Sequence, residues 1–205
     1  ENRRAYGLLY QKTPPYEVLK TRWLSYDELI RIKQVEEMLE VYYNSGQFEM
    51  TMQVLELAFE SPFEMFLSLG RFYEAKGWFF RNHSRIRRSE ILLEFVKERG
   101  LPHPDLYQEA LTFDLYYREN MKSRPYWAPD PALFKERAKS LGQGKRNCHL
   151  EPFYYDFSLL LQKKQRGYPA RREAWRFYRF SYEERDPLTG QAKAEQIDTS
   201  STLPY

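Results

Sequence analysis

Trp23-Leu24-Ser25-Tyr26-Asp27-Glu28 and Tyr42-Tyr43-Asn44-Ser45-Gly46-Gln47-Phe48 bracket a segment whose spacing reads as one helix. Ser25 followed by Glu28 spells a capping box, in which side chain and backbone satisfy each other's orphan donors at a helix start. Leu29, Ile32, Val35, Leu39 and Tyr42 then share one face of a 3.6-residue period, with Asp27, Arg31, Gln34, Glu37 and Glu40 opposite. Gly46 supplies the left-handed residue that ends a helix, with Asn44 as a second polar terminator. The segment predicts a helix of about five turns.

Helical signals continue downstream. Phe48, Met52, Leu55 and Phe59 form a stripe that outruns strand length, so a helix is expected rather than the strand that local alternation suggests. Ser61-Pro62-Phe63-Glu64 is a second capping box with proline in the first turn. Its expected buried face is Phe63, Phe66, Leu67, Gly70 and Tyr73, closed by Gly77. Residues 87–99 bury Ile91, Leu92, Phe95 and Val96 and end at Gly100. Pro104-Asp105 opens a helix with Leu106, Ala110, Phe113 and Tyr117 in line, and Asp130-Pro131 a shorter one through Leu141-Gly142. After Cys148 the texture turns aromatic without a helical stripe. Asp186-Pro187-Leu188-Thr189-Gly190 is a turn cassette, so 175–185 and 191–197 read as a hairpin, joined by a strand near 150–157. The fold class expected is α+β: a predominantly helical body with a small antiparallel β appendage near the C-terminus. Residues 1–24 form an N-terminal arm and linker, 25–142 the helical body, and 143–205 a small β subdomain whose tail, 199–205, is frayed.

Composition narrows the function classes. Thirty-two Lys and Arg against 29 Asp and Glu give a net charge of +3, which permits nucleic-acid contact without demanding it. A mean hydropathy of −0.77 and no apolar run near the roughly 20 residues of a span argue against a membrane protein. No signal peptide is evident. The single cysteine, Cys148, excludes an intrachain disulfide and predicts a reducing, cytoplasmic compartment. The chain opens at Glu1 rather than methionine, which reads as a piece excised from a longer protein.

No catalytic or metal-binding set is expected. His83, His103, His149 and Cys148 lack paired ligand spacing. Gly142-Gln143-Gly144-Lys145 lacks the glycine spacing and the following Ser or Thr of a phosphate loop. Glu36 and Glu37 read as solvated partners of Lys33. Two basic clusters remain. Arg81, Arg85, Arg87 and Arg88 flank His83. Lys163, Lys164, Arg166, Arg171, Arg172, Arg176 and Arg179 interleave with Tyr168, Trp175, Phe177 and Tyr178, the composition of an RNA-contacting surface. The alternative is a solvated strand face whose aromatics are core.

Tyr6-Gly7-Leu8-Leu9-Tyr10, Pro14-Pro15-Tyr16-Glu17-Val18-Leu19, Trp23-Leu24-Ser25-Tyr26-Asp27-Glu28-Leu29 and Tyr42-Tyr43-Asn44-Ser45-Gly46-Gln47-Phe48 together resemble one family. It is the uncharacterised domain that follows the catalytic barrel in certain cobalamin-binding radical SAM proteins. The resemblance is sharpest over residues 5–76 and looser to about 120. It implies a parent protein in which an N-terminal domain binds cobalamin and a barrel holds a [4Fe-4S] cluster and S-adenosylmethionine. No cofactor is implied for this chain, whose lone Cys148 cannot ligate such a cluster. The resemblance thus implies a non-catalytic accessory domain packing on the barrel of the same parent chain and helping to cover or present its substrate. An autonomous RNA-binding module is the alternative. The arm residues Tyr6, Leu8, Leu9, Tyr10, Pro14, Pro15, Tyr16 and Trp23 are the candidate interdomain contacts, because no helical stripe there is long enough to bury them locally. Trp23 is expected to anchor the arm to the helical body, and Tyr6 to Tyr10 to face the barrel.

Overall fold

The computed structural model describes residues 5–142 and 147–197. Most of the glycine-lysine connector, 143–145, and the tail 199–205 lie outside them. The arm is a small antiparallel hairpin, β1 (Leu9–Tyr10) with β2 (Val18–Lys20), where the sequence suggested only an arm and linker. Both prolines lie in its turn, joined by a cis peptide, and Gln11 N–H donates to the Glu17 carbonyl at 2.8 Å to extend the ladder. Gly7 permits the crossing that follows. It sits at φ +59°, and a Cβ there would lie 3.3 Å from the Arg22 backbone nitrogen.

Helix α1 (Tyr26–Leu39) begins with the expected capping box: Ser25 Oγ accepts from Glu28 N–H at 3.3 Å, and Glu28 accepts from Ser25 N–H at 2.7 Å. Its last turn, Glu40–Asn44, is a π-helix before Gly46 at φ +62°. The wider turn is held by Ser45 N–H to the Glu40 carbonyl, Ser45 Oγ to the Val41 carbonyl at 2.8 Å, and Asn44 Nδ2 to Glu40 Oε1 at 2.6 Å. The buried face follows the stripe read from spacing only in its C-terminal half, where Val35 and Leu39 pack on the core beside Tyr42. Met38 and Tyr42 are fully buried, whereas Ile32 is 43% exposed.

Helices α2 (Glu49–Glu56), α3 (Pro62–Lys76), α4 (Arg85–Glu98) and α5 (Pro104–Arg118) follow the predicted boundaries closely. Ser61 Oγ accepts from Glu64 N–H, the forward half of the second box. Gly77 at φ +65° closes α3 with Gly77 N–H to the Glu74 carbonyl and Trp78 N–H to that of Tyr73, a Schellman arrangement. Phe63 departs from expectation: in the first turn of α3 it lies beyond the core and is 49% exposed. Helix α3 packs along α1, and Gly70 sets their approach, since a Cβ there would stand 3.2 Å from Gln34 Cβ. Gly70→Val is expected to destabilise the fold by about 1–3 kcal/mol through overpacking, read as a lower urea midpoint. An unchanged midpoint would show that the helices can separate freely.

Helix α5 is the centre of the fold. A single stripe is predicted, yet every residue from Ala110 to Tyr116 is buried, because α2 and α4 pack on it from one side and the sheet from the other. After a 3₁₀ turn (Pro131–Leu133) comes α6 (Lys135–Ser140), then β3 (Cys148–Tyr155), the short α7 (Ser158–Leu161), β4 (Arg171–Ser181) and β5 (Lys193–Ile197). The three strands form an antiparallel sheet in the order β3-β4-β5, as the hairpin reading expects. Helix α7 has no counterpart in that reading. Asp186 organises the β4–β5 turn by accepting from Leu188 and Thr189 N–H at 2.9 and 2.7 Å. The Phe113 ring joins helices to sheet, with centroids 4.8 Å from Phe157, 4.9 Å from Phe180 and 5.3 Å from Tyr178. Such contacts contribute about 0.5–1.5 kcal/mol each beyond their buried area. Among the described residues, no helix is long and apolar enough to cross a membrane.

Candidate functional site

The hairpin presents an apolar surface. Tyr6, Leu9, Tyr10 and Tyr16 are exposed and Leu8 is half-buried. Trp23 is 68% exposed, its ring tilted at 42° and 5.8 Å from that of Tyr6. It does not anchor the arm in the helical body as expected. Thr21 Oγ1 accepts from both Trp23 and Leu24 N–H, which fixes the turn before Ser25 and leaves the indole directed outward. Pro14 and Pro15 are exposed in the turn. A two-stranded hairpin is marginal alone; this one is fastened to α1 by the Lys33–Glu17 ion pair, while Arg22 N–H donates to the Tyr6 carbonyl at 2.8 Å within the arm itself.

The arginine-aromatic stretch is arranged differently. Strand alternation sends Tyr178 and Phe180 into the main core, while Phe177 and Trp175 pack with Phe134, Ala138 and Leu150 on the opposite face of the sheet. Its cations meet carboxylates: Lys163 pairs with Glu49 at 2.9 Å, Arg171 with Asp105 at 3.2 Å, and Arg172 with Asp156. Arg171 also lies over the Tyr154 ring, Arg179 donates to the Leu141 carbonyl, and Tyr168 packs beside His103. Lys164 and Arg166 are exposed, and Arg176 is half-buried. In the first basic cluster, Arg85 pairs with Glu119 and Arg87 with Glu90 and Glu94.

Three carboxylates unmarked in the sequence, the buried Asp114 and Glu151 and the half-buried Glu109, hold the frame. Asp114 accepts from Met50 N–H at 2.8 Å, Thr51 N–H at 2.9 Å and Thr51 Oγ1 at 2.6 Å, and so caps α2 from the middle of α5. Burial pushes its carboxyl up to about 7 against the pull of those donors. Glu109 accepts from Tyr154 and Tyr155 N–H, each at 3.0 Å, where β3 slips register against β4. Burial raises it likewise to about 7. Glu151 is fully buried and receives both terminal nitrogens of Arg124 at 2.6 Å, with His149 Nε2 at 2.8 Å and the imidazole stacked 3.7 Å from Tyr116. An acidic residue inside an apolar run, such as Asp114 between Phe113 and Leu115, was the available signal. Among the described residues, no group of three or more His, Cys, Asp or Glu side chains could hold a metal ion.

A cleft of about 850 Å³ opens where the π-helical turn, α2, α3, the end of α5 and the β4–β5 turn converge. Leu39, Met52, Met65 and Phe66 provide its apolar lining, and Tyr43 and Leu188 are exposed side chains beside it. Its walls are tied together through Glu49, whose carboxylate holds Lys163 on one oxygen and Gln191 Nε2, at 2.6 Å, on the other. Arg118 Nη1 donates to the Thr189 carbonyl, and Arg185 Nη1 to that of Arg118. Nothing in the local sequence announces this cleft, because its residues come from elements far apart in the chain.

Residues 4–165 match the model of a family described as "Protein of unknown function (DUF4080)". No curated protein and no solved structure matches the chain.

Proposed function

Because the chain belongs to the DUF4080 family, whose model spans both the hairpin and the helices behind it, we propose that it is a non-catalytic C-terminal accessory domain of a cobalamin-binding radical SAM protein. It packs on the catalytic barrel of its parent chain and helps to cover or present the substrate. The matched region contains the four stretches that resemble the domain behind such barrels. The observation that carries the reading is the apolar hairpin: Trp23 and Tyr16 are 68% and 60% exposed, with Tyr6, Leu9 and Tyr10 beside them in sequence or space. Burying each contributes on the order of 1.5–3 kcal/mol, so covering this surface would supply the driving force for docking. Cobalamin, S-adenosylmethionine and the [4Fe-4S] cluster belong, in this proposal, to the rest of the parent. The residues here do not fit the cluster, since Cys148 is the single cysteine.

The test is a pair of substitutions read in two settings. Leu9→Glu and Tyr16→Glu are expected to change the stability of the isolated domain by no more than about 0.5 kcal/mol, as exposed sites do. In the parent protein they are expected to loosen the domain and expose it to limited proteolysis. Equal, large destabilisation of the isolated domain would make the hairpin part of this domain's own core and remove the proposed docking surface. An RNA-binding module is the less supported alternative, because Lys163, Arg171 and Arg172 already meet carboxylates and Tyr178 is buried. RNA affinity measured by fluorescence anisotropy that survived physiological ionic strength would favour it instead.

A further inference from the structure

The cleft opens at the C-terminal end of α1, a helix of 14 residues and about 20 Å whose N-terminal end follows the hairpin. We propose that it binds a small apolar carboxylate, with the hydrocarbon body on Met52, Met65, Phe66 and Leu39 and the carboxylate on the guanidinium of Arg118. The volume, about 850 Å³, lies in the range of small-molecule sites. Methionines make an adaptable, polarisable floor that accepts apolar bodies of varied shape. Leu188, 94% exposed on a turn pinned by Asp186, and Tyr43, 65% exposed on the π-helical turn, stand ready to lose water against such a body.

Charge selects the head group. Two cations and two carboxylates line the cleft. Lys163 and Glu49 neutralise each other, and Gln191 occupies the second oxygen of Glu49. Glu56 is exposed at the end of α2. Among the described residues Arg118 forms no ion pair; one of its two terminal nitrogens, Nη1, holds the Thr189 carbonyl, and a planar guanidinium suits a carboxylate's two oxygens. The inference is independent of the docking reading, and its test uses the 205-residue chain by itself.

The experiment is a titration of methyl-¹³C-methionine protein with decanoate below micelle formation, with decanol as the uncharged control. The Met52 and Met65 methyl resonances are expected to move, while those of Met38 and Met50, which lie outside the cleft, stay in place. Arg118→Ala is expected to weaken decanoate about tenfold, the loss of one charge-assisted contact, and to leave decanol unchanged. Should Arg118→Ala disturb the methionine spectrum of the free protein, Arg118→Gln, which keeps a donor for the Thr189 carbonyl and removes the charge, makes the same comparison. Unmoved Met52 and Met65 resonances would overturn the proposal. So would decanoate affinity indifferent to the Arg118 charge, which would mark the cleft as a general apolar surface such as a protein segment would use.

Discussion

Arg124→Met is expected to cost about 3–5 kcal/mol of folding stability, the usual consequence of stranding one member of a buried ion pair. Glu151 is fully buried on β3 and its carboxylate is gripped by both Arg124 nitrogens at 2.6 Å. Without the guanidinium it would face His149 and an apolar interior. The same arginine donates to the Pro129 carbonyl at 3.0 Å and lies over the Phe134 ring, so its loss also frees the segment that leads to α6. The double variant Arg124→Met with Glu151→Gln is expected to recover part of the loss, since no buried charge is then left alone. Chemical denaturation of the three proteins measures this. A double variant as unstable as the single would mean that packing of the arginine stem, and not the stranded carboxylate, sets the cost.

Asp114→Ala is expected to cost about 2–4 kcal/mol, because three buried donors on α2 lose their acceptor together and each unsatisfied donor costs about 1–3 kcal/mol without full additivity. Asp114→Asn is expected to cost less, as its carbonyl oxygen still caps one donor. Acidity gives a second reading of the same group. Burial lifts Asp114 and Glu109 to about 7, whereas both ionise near pH 4 in an unfolded chain. Between about pH 4 and 7 the folded state therefore holds protons that the unfolded chain has released. Their contribution is full below the unfolded value and is lost as pH rises through the folded one. Thermal stability is expected to rise from pH 8 to pH 5, and Glu109→Gln to flatten that slope. Asp156, lowered by its hydrogen bonds from Ser158 and by Arg172, acts in the opposite sense only below that window. A slope that rises towards pH 8 would contradict the assignment.

Local chemistry was legible in the sequence and long-range geometry was not. Ser25 and Glu28, Ser61 and Gly77 announce helix ends because a cap depends on neighbours three or four residues away. Asp186 and Gly190 announce the β4–β5 turn for the same reason. The π-helical turn at Glu40–Asn44 was invisible, since it follows from Ser45 bonding to Val41 and from where Tyr42 must meet Tyr73, whose hydroxyls stand 2.5 Å apart. The arginine-aromatic composition of β4 pointed to a surface, but alternation along a strand covered on both faces sends its rings inward. The arm failed differently: Trp23 is apolar by type, and only the Thr21 turn decides that it points away from the helices.

Hydrogen exchange across residues 5–24 tests the docking account most directly, measured on the isolated domain and on the parent protein under the same conditions. The hairpin has a short ladder and an exposed apolar face, so its amides are expected to exchange rapidly in the isolated domain. Docked against the remainder of the parent chain they are expected to slow by at least about tenfold, equivalent to roughly 1.4 kcal/mol of added protection, while the amides of α5 exchange at similar rates in both. Identical rates for β1 and β2 in the two proteins would contradict the account, because the apolar hairpin would then be as uncovered in the parent as it is alone.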